Sequence, residues 1–243
     1  MDDPASTSHA PIRLLIHGAS GRMGRALLRL AADDVRFEIA GAVTRTGGSV
    51  EGVRALTQER MASAIPFDVL VDFSLPDAFD AALEICLQRG IALVSGTTGL
   101  ADAQRTALDV ARKSIPVVWA ANFSMGVAVL NDLVRRAAAA LPGWDCDIVE
   151  THHADKRDAP SGTALSLGEA IASARGETPR YASLRAGDIV GEHVVQFTGV
   201  GERLELIHRA TNRDIFARGA LEAAARIVGR GPGRYELGEL LLG

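Results

Sequence analysis

The stretch Ile12-Arg-Leu-Leu-Ile-His17-Gly18-Ala-Ser-Gly21-Arg-Met-Gly24 sets a short aliphatic run directly against three glycines spaced G-x-x-G-x-x-G. The run reads as a buried strand and the residues from Arg22 to Ala32 carry a helical period, so the glycines fall on a strand-to-helix turn. At such a turn glycine allows a sharp reversal, close approach of backbone to a pyrophosphate, and tight packing of helix on strand. The motif is a variant of the dinucleotide fingerprint. It points to Gly18, Ala19, Ser20, Gly21, Arg22 and Met23 as cofactor contacts.

Working outward, further short runs at Glu38–Val43, Val69–Phe73, Ile91–Ser95 and Val117–Ala121 alternate with helical segments at Asp77–Arg89 and Ala101–Lys113. This alternation is that of βαβ units around a parallel sheet, an α/β, Rossmann-like doubly wound domain. The segment from Gly47 to Ala64 has no regular period. After Ala121 the pattern becomes α+β: a helix near Gly126–Ala140, a strand at Asp147–Thr151, a polar loop and a helix at Thr163–Ser173. Two runs, His193–Val200 and Arg203–Arg209, then read as an antiparallel pair. We therefore expect a dinucleotide-binding domain over residues 1–123 and a substrate-binding and oligomerisation domain over 124–211. Residues 212–243, with a helix at Asp214–Val228, are expected to pack back onto the first.

Composition narrows the function classes. A formal charge of −4 over 243 residues argues against nucleic acid as a partner, because phosphate binding calls for clustered positive charge. No run approaches the roughly 18 apolar residues of a membrane-spanning helix. Met1 to Pro11 is polar and fits neither a secretory signal nor an anchor, so it reads as a frayed tail. Cys86 and Cys146 lack metal-ligand spacing and read as reduced, buried thiols, which suits a cytoplasmic protein. No metal is expected, since none of the six histidines forms a ligand-spaced pair with a nearby carboxylate.

At the end of the second strand stand Thr44 and Arg45, where a carboxylate would serve the ribose of NAD. A hydroxyl and a guanidinium suit a 2′-phosphate, so NADPH is expected over NADH. The loops Gly96-Thr97-Thr98-Gly99 and Ala120-Ala121-Asn122-Phe123 follow later strands and are candidates to line the nicotinamide half.

The densest chemistry lies in Glu150-Thr-His152-His153-Ala-Asp-Lys156-Arg-Asp-Ala-Pro160-Ser161-Gly162-Thr163-Ala. A histidine titrates near neutrality and can deliver a proton, and an ammonium can fix a carboxylate. Only Lys113 and Lys156 of the 26 basic residues are lysine, so a lysine in this loop is not simply the chain's usual surface cation. Ser161, Gly162 and Thr163 read as a helix start, whose free N–H groups can receive a substrate carboxylate. A Tyr-x-x-x-Lys reductase is excluded, because Arg185 follows Tyr181 and Glu239 follows Tyr235 at that spacing.

These stretches, with Val71-Asp-Phe-Ser-Leu-Pro76 and Arg185-Ala-Gly-Asp-Ile-Val-Gly-Glu-His193, resemble the dihydrodipicolinate reductases along nearly the whole chain. The resemblance implies hydride transfer from NAD(P)H to the cyclic imine formed from 4-hydroxy-tetrahydrodipicolinate, giving tetrahydrodipicolinate in the diaminopimelate pathway of lysine biosynthesis. By matching position it makes His152 the proton donor and Lys156 a second acid that also contacts a carboxylate. His153, Gly162 and Thr163 match substrate positions; Gly18 to Met23, Gly96 to Thr98 and Ala120 to Phe123 match cofactor positions. It further implies a homotetramer built through second-domain sheets. Ala154 and Asp155 depart from the pattern, standing where many relatives carry basic residues, and the chain is shortened after Arg45 and before Arg185. The alternative is a dinucleotide sensor without turnover, which would keep the glycine loop but have no need of the His-His-x-x-Lys loop.

Overall fold

The computed structural model describes residues 10–243, so residues 1–9 of the polar N-terminal tail lie outside the described residues. The chain divides into two compact units, one comprising the residues up to Ala121 with Ala220–Glu236, the other Asn122–Gly219 with Leu237–Gly243.

The first unit runs β1 (Ile12–His17), α1 (Arg22–Ala32), β2 (Phe37–Thr44), β3 (Gly48–Val50), β4 (Val53–Thr57), a 3-10 turn (Gln58–Ser63), β5 (Val69–Asp72), α2 (Pro76–Arg89), β6 (Ala92–Ser95), α3 (Asp102–Ala111) and β7 (Pro116–Trp119). With β12 (Gly233–Arg234) these make an eight-stranded sheet in the order β12-β7-β6-β5-β1-β2-β4-β3. Every pairing is parallel except β3 with β4. Strands such as β5 are buried throughout because helices cover both faces, which is why they read as unbroken aliphatic runs. Leu15, Leu70, Leu93 and Val117 pack there against Phe79, Leu83 and Cys86 of α2. The strand order reverses between β1 and β5, and a crevice opens beyond the carboxyl ends at such a point.

The irregular stretch from Gly47 to Ala64 is a β3–β4 hairpin and the 3-10 turn. Its two-residue turn holds Glu51 at φ 48° and Gly52 at φ 78°, the primed geometry that matches strand twist. Strands of three and five residues are too short to impose a readable alternation.

The second unit runs α4 (Met125–Ala140), β8 (Asp145–His152), α5 (Gly162–Arg175), β9 (Arg180–Arg185), β10 (Gly191–Gly199) and β11 (Glu202–Ala210), and α7 (Leu237–Leu242) packs on α4. Helix α6 (Asp214–Ile227) carries the chain from this unit into the first. The four strands order as β11-β10-β8-β9. One sheet face buries Cys146, Ile148, Val195 and Phe197 under Leu130, Val134, Leu167 and Ile171 of the two helices. Continuing at the strand period of two, that face ends in Glu150 and His152 on β8 and in His193 on β10. The hydrophobic layer thus turns polar at one end of the sheet. Strand β9 carries no sequence signal because its inward residues, Tyr181, Ser183 and Arg185, are all polar-tipped.

Candidate active site

Glu150 is the centre of the polar end of this sheet and is wholly buried. Its Oε2 lies 2.5 Å from His152 Nδ1. Arg185 reaches across from β9 and donates to both carboxylate oxygens, at 2.9 and 2.8 Å. The Ser161 N–H donates to Oε1 at 3.2 Å. Burial alone would raise the carboxyl, but Arg185, Ser183 and His152 outweigh it and hold it at about 2. An ionised Glu150 therefore fixes a proton on His152 Nδ1 and leaves Nε2 as the atom that exchanges protons. Burial lowers the His152 pKa; Glu150 opposes this, while the charges of Lys156 and Arg185 add to it.

The loop after β8 is tied down by the same arginine, whose guanidinium donates to the carbonyls of Lys156 and Asp158. Lys156 Nζ sits 2.8 Å from both oxygens of Asp158, which is mostly exposed. A substrate carboxylate can compete with so exposed a partner. His153 is half-buried and its carbonyl accepts from the Lys156 N–H at 3.1 Å. Beyond the loop Ser161 caps α5, with Oγ accepting from Ala164 N–H at 3.2 Å. The cap and the bond from Leu165 N–H to the Ser161 carbonyl leave Gly162 and Thr163 N–H outside the helix ladder. Asn122 Nδ2 donates to Thr163 Oγ1 at 2.9 Å, so this residue, expected to face cofactor, also supports the helix start. His152, Lys156, Ser161, Gly162 and Thr163 are thus brought together around one buried carboxylate.

In the first unit the glycine turn has the shape a dinucleotide requires. Gly18 sits at φ 75°, and a Cβ there would meet the Phe73 carbonyl oxygen at 2.4 Å; at Gly24 it would meet the Gly18 oxygen at 2.3 Å. Helix α1 has no side-chain cap, so its first amides are open to an anion. Ala19 is buried and Ser20, Gly21 and Arg22 are exposed at the turn, with Met23 between. The Gly96–Thr98 loop is anchored by Thr97, whose hydroxyl donates to the buried Asp72 at 2.8 Å, and Asp72 also takes Ser95 at 2.8 Å and His17 at 2.9 Å. Thr44 is buried and spends its hydroxyl proton on the Gly47 carbonyl, while Arg45 is exposed beside it. Ala120 and Ala121 follow β7; Phe123 is a core residue of the second unit, 1% exposed. The residues present fit a dinucleotide.

Two family models match in tandem: dihydrodipicolinate reductase, N-terminus, over residues 12–123 and dihydrodipicolinate reductase, C-terminus, over residues 126–241. The chain belongs to the dihydrodipicolinate reductase family. Within the family it is 61% identical to the 4-hydroxy-tetrahydrodipicolinate reductase of Xanthomonas campestris pv. campestris (strain B100), over 96% of this chain and 99% of that protein. The corresponding reductase of Xylella fastidiosa (strain 9a5c) is 58% identical over 95% and 98%. In fold it matches a dipicolinate-bound dihydrodipicolinate reductase from Paenisporosarcina sp. TG-14, with a TM-score of 0.80 at 24% identity over 93% of this chain and 97% of that one. Membership makes the chain an oxidoreductase that draws on NAD(P)H.

Three members of the site were not read from the sequence as functional: Glu150, Arg185 and His193. Glu150 was open to detection, because a carboxylate two residues before a histidine on one strand shares its face. Arg185 and His193 reach the site only through pairing of β8 with β9 and β10, which no local pattern reveals.

Proposed function

We propose that this chain reduces 4-hydroxy-tetrahydrodipicolinate, by way of its dehydrated cyclic imine, to tetrahydrodipicolinate in the diaminopimelate route to lysine, with His152 as proton donor. The observation that carries the assignment of roles is the buried Glu150–His152 pair beside the free amides of Gly162 and Thr163. Those amides and Lys156 hold substrate carboxylates, His153 lines the same pocket, and Ser161 keeps the helix start in shape. Glu150 retains the Nδ1 proton, so His152 delivers its proton from Nε2 and is left neutral and oriented. Lys156 offers a second proton and a point charge against developing negative charge. Gly18 to Met23 hold the pyrophosphate, and Gly96 to Thr98 with Ala120 and Ala121 hold the nicotinamide, which supplies the hydride when bound.

The test is substrate-dependent oxidation of NADPH and NADH, with the unstable substrate generated in place from pyruvate and aspartate semialdehyde. Turnover that collapses in His152→Ala and Lys156→Ala is the expected result. Cofactor binding without any turnover would sink the enzymatic reading and leave a dinucleotide sensor.

NADPH is the preferred cofactor in this reading, because the exposed Arg45 guanidinium can pair with a 2′-phosphate and its chain neighbours, Thr44 and Thr46, carry no negative charge to repel one. Arg45→Ala should cut the NADPH to NADH ratio of kcat/KM by about tenfold, the loss of one charge-assisted contact. An unchanged ratio would remove Arg45 from the site.

The chain works in the cytoplasm on a small dicarboxylate, with neither nucleic acid nor membrane as a partner. Among the described residues no helix is long and apolar enough to cross a membrane. It acts as a homotetramer formed through the sheet of the second unit. The outward face of that sheet carries Val149, Thr151, Val194 and Gln196 half-exposed, an apolar-polar mixture suited to self-association. Val194→Glu puts like charges into such a face and should dissociate the tetramer in sedimentation velocity. A variant that sediments with wild type would place assembly elsewhere.

A further inference from the structure

The hydroxyl that caps α5 has its own proton to place. Ser161 Oγ receives the Ala164 N–H, and 3.2 Å away on its other side stands His193 Nε2. His193 is 4% exposed, and its ring lies 5.2 Å from that of His152 at 76°, edge to face. Burial, with His152 and His208 beside it, pushes the His193 imidazole down to about 4, so the ring is neutral where a cytoplasmic enzyme works. A neutral ring can accept the Ser161 hydroxyl proton at Nε2, which keeps the oxygen lone pair on Ala164 N–H. A charged ring would donate there instead and compete for the same oxygen.

The same arrangement recurs on the neighbouring helix. His208 is the cross-strand partner of His193, with ring centroids 6.4 Å apart. Its Nε2 lies 3.2 Å from Ser124 Oγ, and Ser124 caps α4 by accepting from Val127 N–H at 3.2 Å. In both histidines Nδ1 is buried and has no hydrogen-bond partner among the described residues. Leaving a buried ring nitrogen unpaired is unfavourable, so each site gives up stability to present Nε2 to a capping serine. Only the α5 cap adjoins the Glu150–His152 pair, since the Ser161 N–H is bonded to Glu150 Oε1.

We propose that His193 is a positioning residue for the substrate carboxylate: by taking the Ser161 hydroxyl proton it holds the α5 cap on Ala164, so that Gly162 and Thr163 N–H stay free to bind one anion together. This rests on the reading of the α5 start as the carboxylate site. His193 touches no reacting atom; it acts through Ser161. Its effect therefore falls on affinity for the dicarboxylate, and His152 keeps its own anchor in Glu150.

The experiment measures dipicolinate binding by calorimetry and the KM and kcat of turnover in wild type, His193→Phe, His193→Gln, Ser161→Ala and the Phe/Ala double variant. Phe keeps a ring against His152 but cannot accept, so Kd and KM should each rise about tenfold, the worth of one buried hydrogen bond, with kcat changing less. Gln retains an acceptor and should recover most of the loss. The double variant should be no weaker than Ser161→Ala alone, because both changes remove one interaction. Dipicolinate binding by His193→Phe equal to wild type, or losses that multiply in the double variant, would overturn the proposal. Should the Phe variant fail to fold, His193→Asn, too short to reach Ser161, takes its place with the same expectation. A wild type that binds no dipicolinate and turns over no substrate would instead bring down the carboxylate reading itself.

Discussion

Replacing His152 with Gln is expected to lower kcat by about 10²–10⁴-fold, the range for loss of a positioned general acid, and to leave NADPH affinity unchanged. Gln fills similar space and can still hydrogen-bond Glu150, so folding is preserved and the loss reads on proton transfer. The pH dependence sharpens the test. A general acid works only while protonated, so activity is lost as pH rises through its pKa. His152 is lowered by burial and by the charges of Lys156 and Arg185, with Glu150 only partly offsetting them. In wild type kcat/KM should therefore begin to fall with pH below the ordinary histidine value of about 6.5. Two bound carboxylates favour the imidazolium, so the limb in kcat should lie at higher pH than the limb in kcat/KM. The variant should lose both limbs. A Gln variant that retains more than about a tenth of wild-type kcat would remove His152 from the donor role, since general acid catalysis is worth more than that.

How much of this was legible in the sequence depended on how local each cause is. The β1–α1 turn was readable because the close contact of Gly24 with Gly18 is local, although Gly18 itself is required by Phe73 of the neighbouring strand end, and the turn's boundaries agree with the structure to the residue. The acid loop was readable because lysine is rare in this chain and adjacent histidines are conspicuous. Glu150 was in plain view but its role was not, because that role exists only once Arg185 arrives from a strand 35 residues on and the α5 start folds over it. Strand β9 hid for the same reason: the inward side of an edge strand beside a polar site is itself polar, so hydropathy alternation fails where function is concentrated. At Thr44 a local structural role stands beside the expected contact with cofactor. It is the last residue of β2, and its hydroxyl proton goes to the Gly47 carbonyl and shapes the turn, while Arg45 next to it is exposed.

Glu150→Gln should combine a loss of stability with a loss of rate, and the two can be separated. The carboxyl is held at about 2 against roughly 4.3 in an unfolded chain, a gap equivalent to about 3 kcal/mol. Because the folded value is the lower one, this contribution is complete above about pH 4.5 and is lost as pH falls toward 2. The variant has no such group to titrate, so its stability should be lower at neutral pH and flatter across that acid window. It also leaves Arg185, whose side chain is 18% exposed, without its counter-charge, and breaking a pair this buried costs about 3–5 kcal/mol. For a chain of this size that corresponds to a fall in Tm of about 10 °C. The rate effect has a different origin. A Gln amide can turn its NH2 toward Nδ1 and so favour the wrong tautomer of His152, which should reduce kcat by about 10²–10³-fold. Arg185→Met supplies the control, since it breaks the same ion pair but leaves the carboxylate on Nδ1. If Glu150 positions the acid, Arg185→Met loses comparable stability and, with the Lys156 loop untied, raises KM, yet its loss of kcat is smaller than that of Glu150→Gln at a temperature where both variants are folded. Equal losses of rate in the two would mean that Glu150 acts only by holding the strands together.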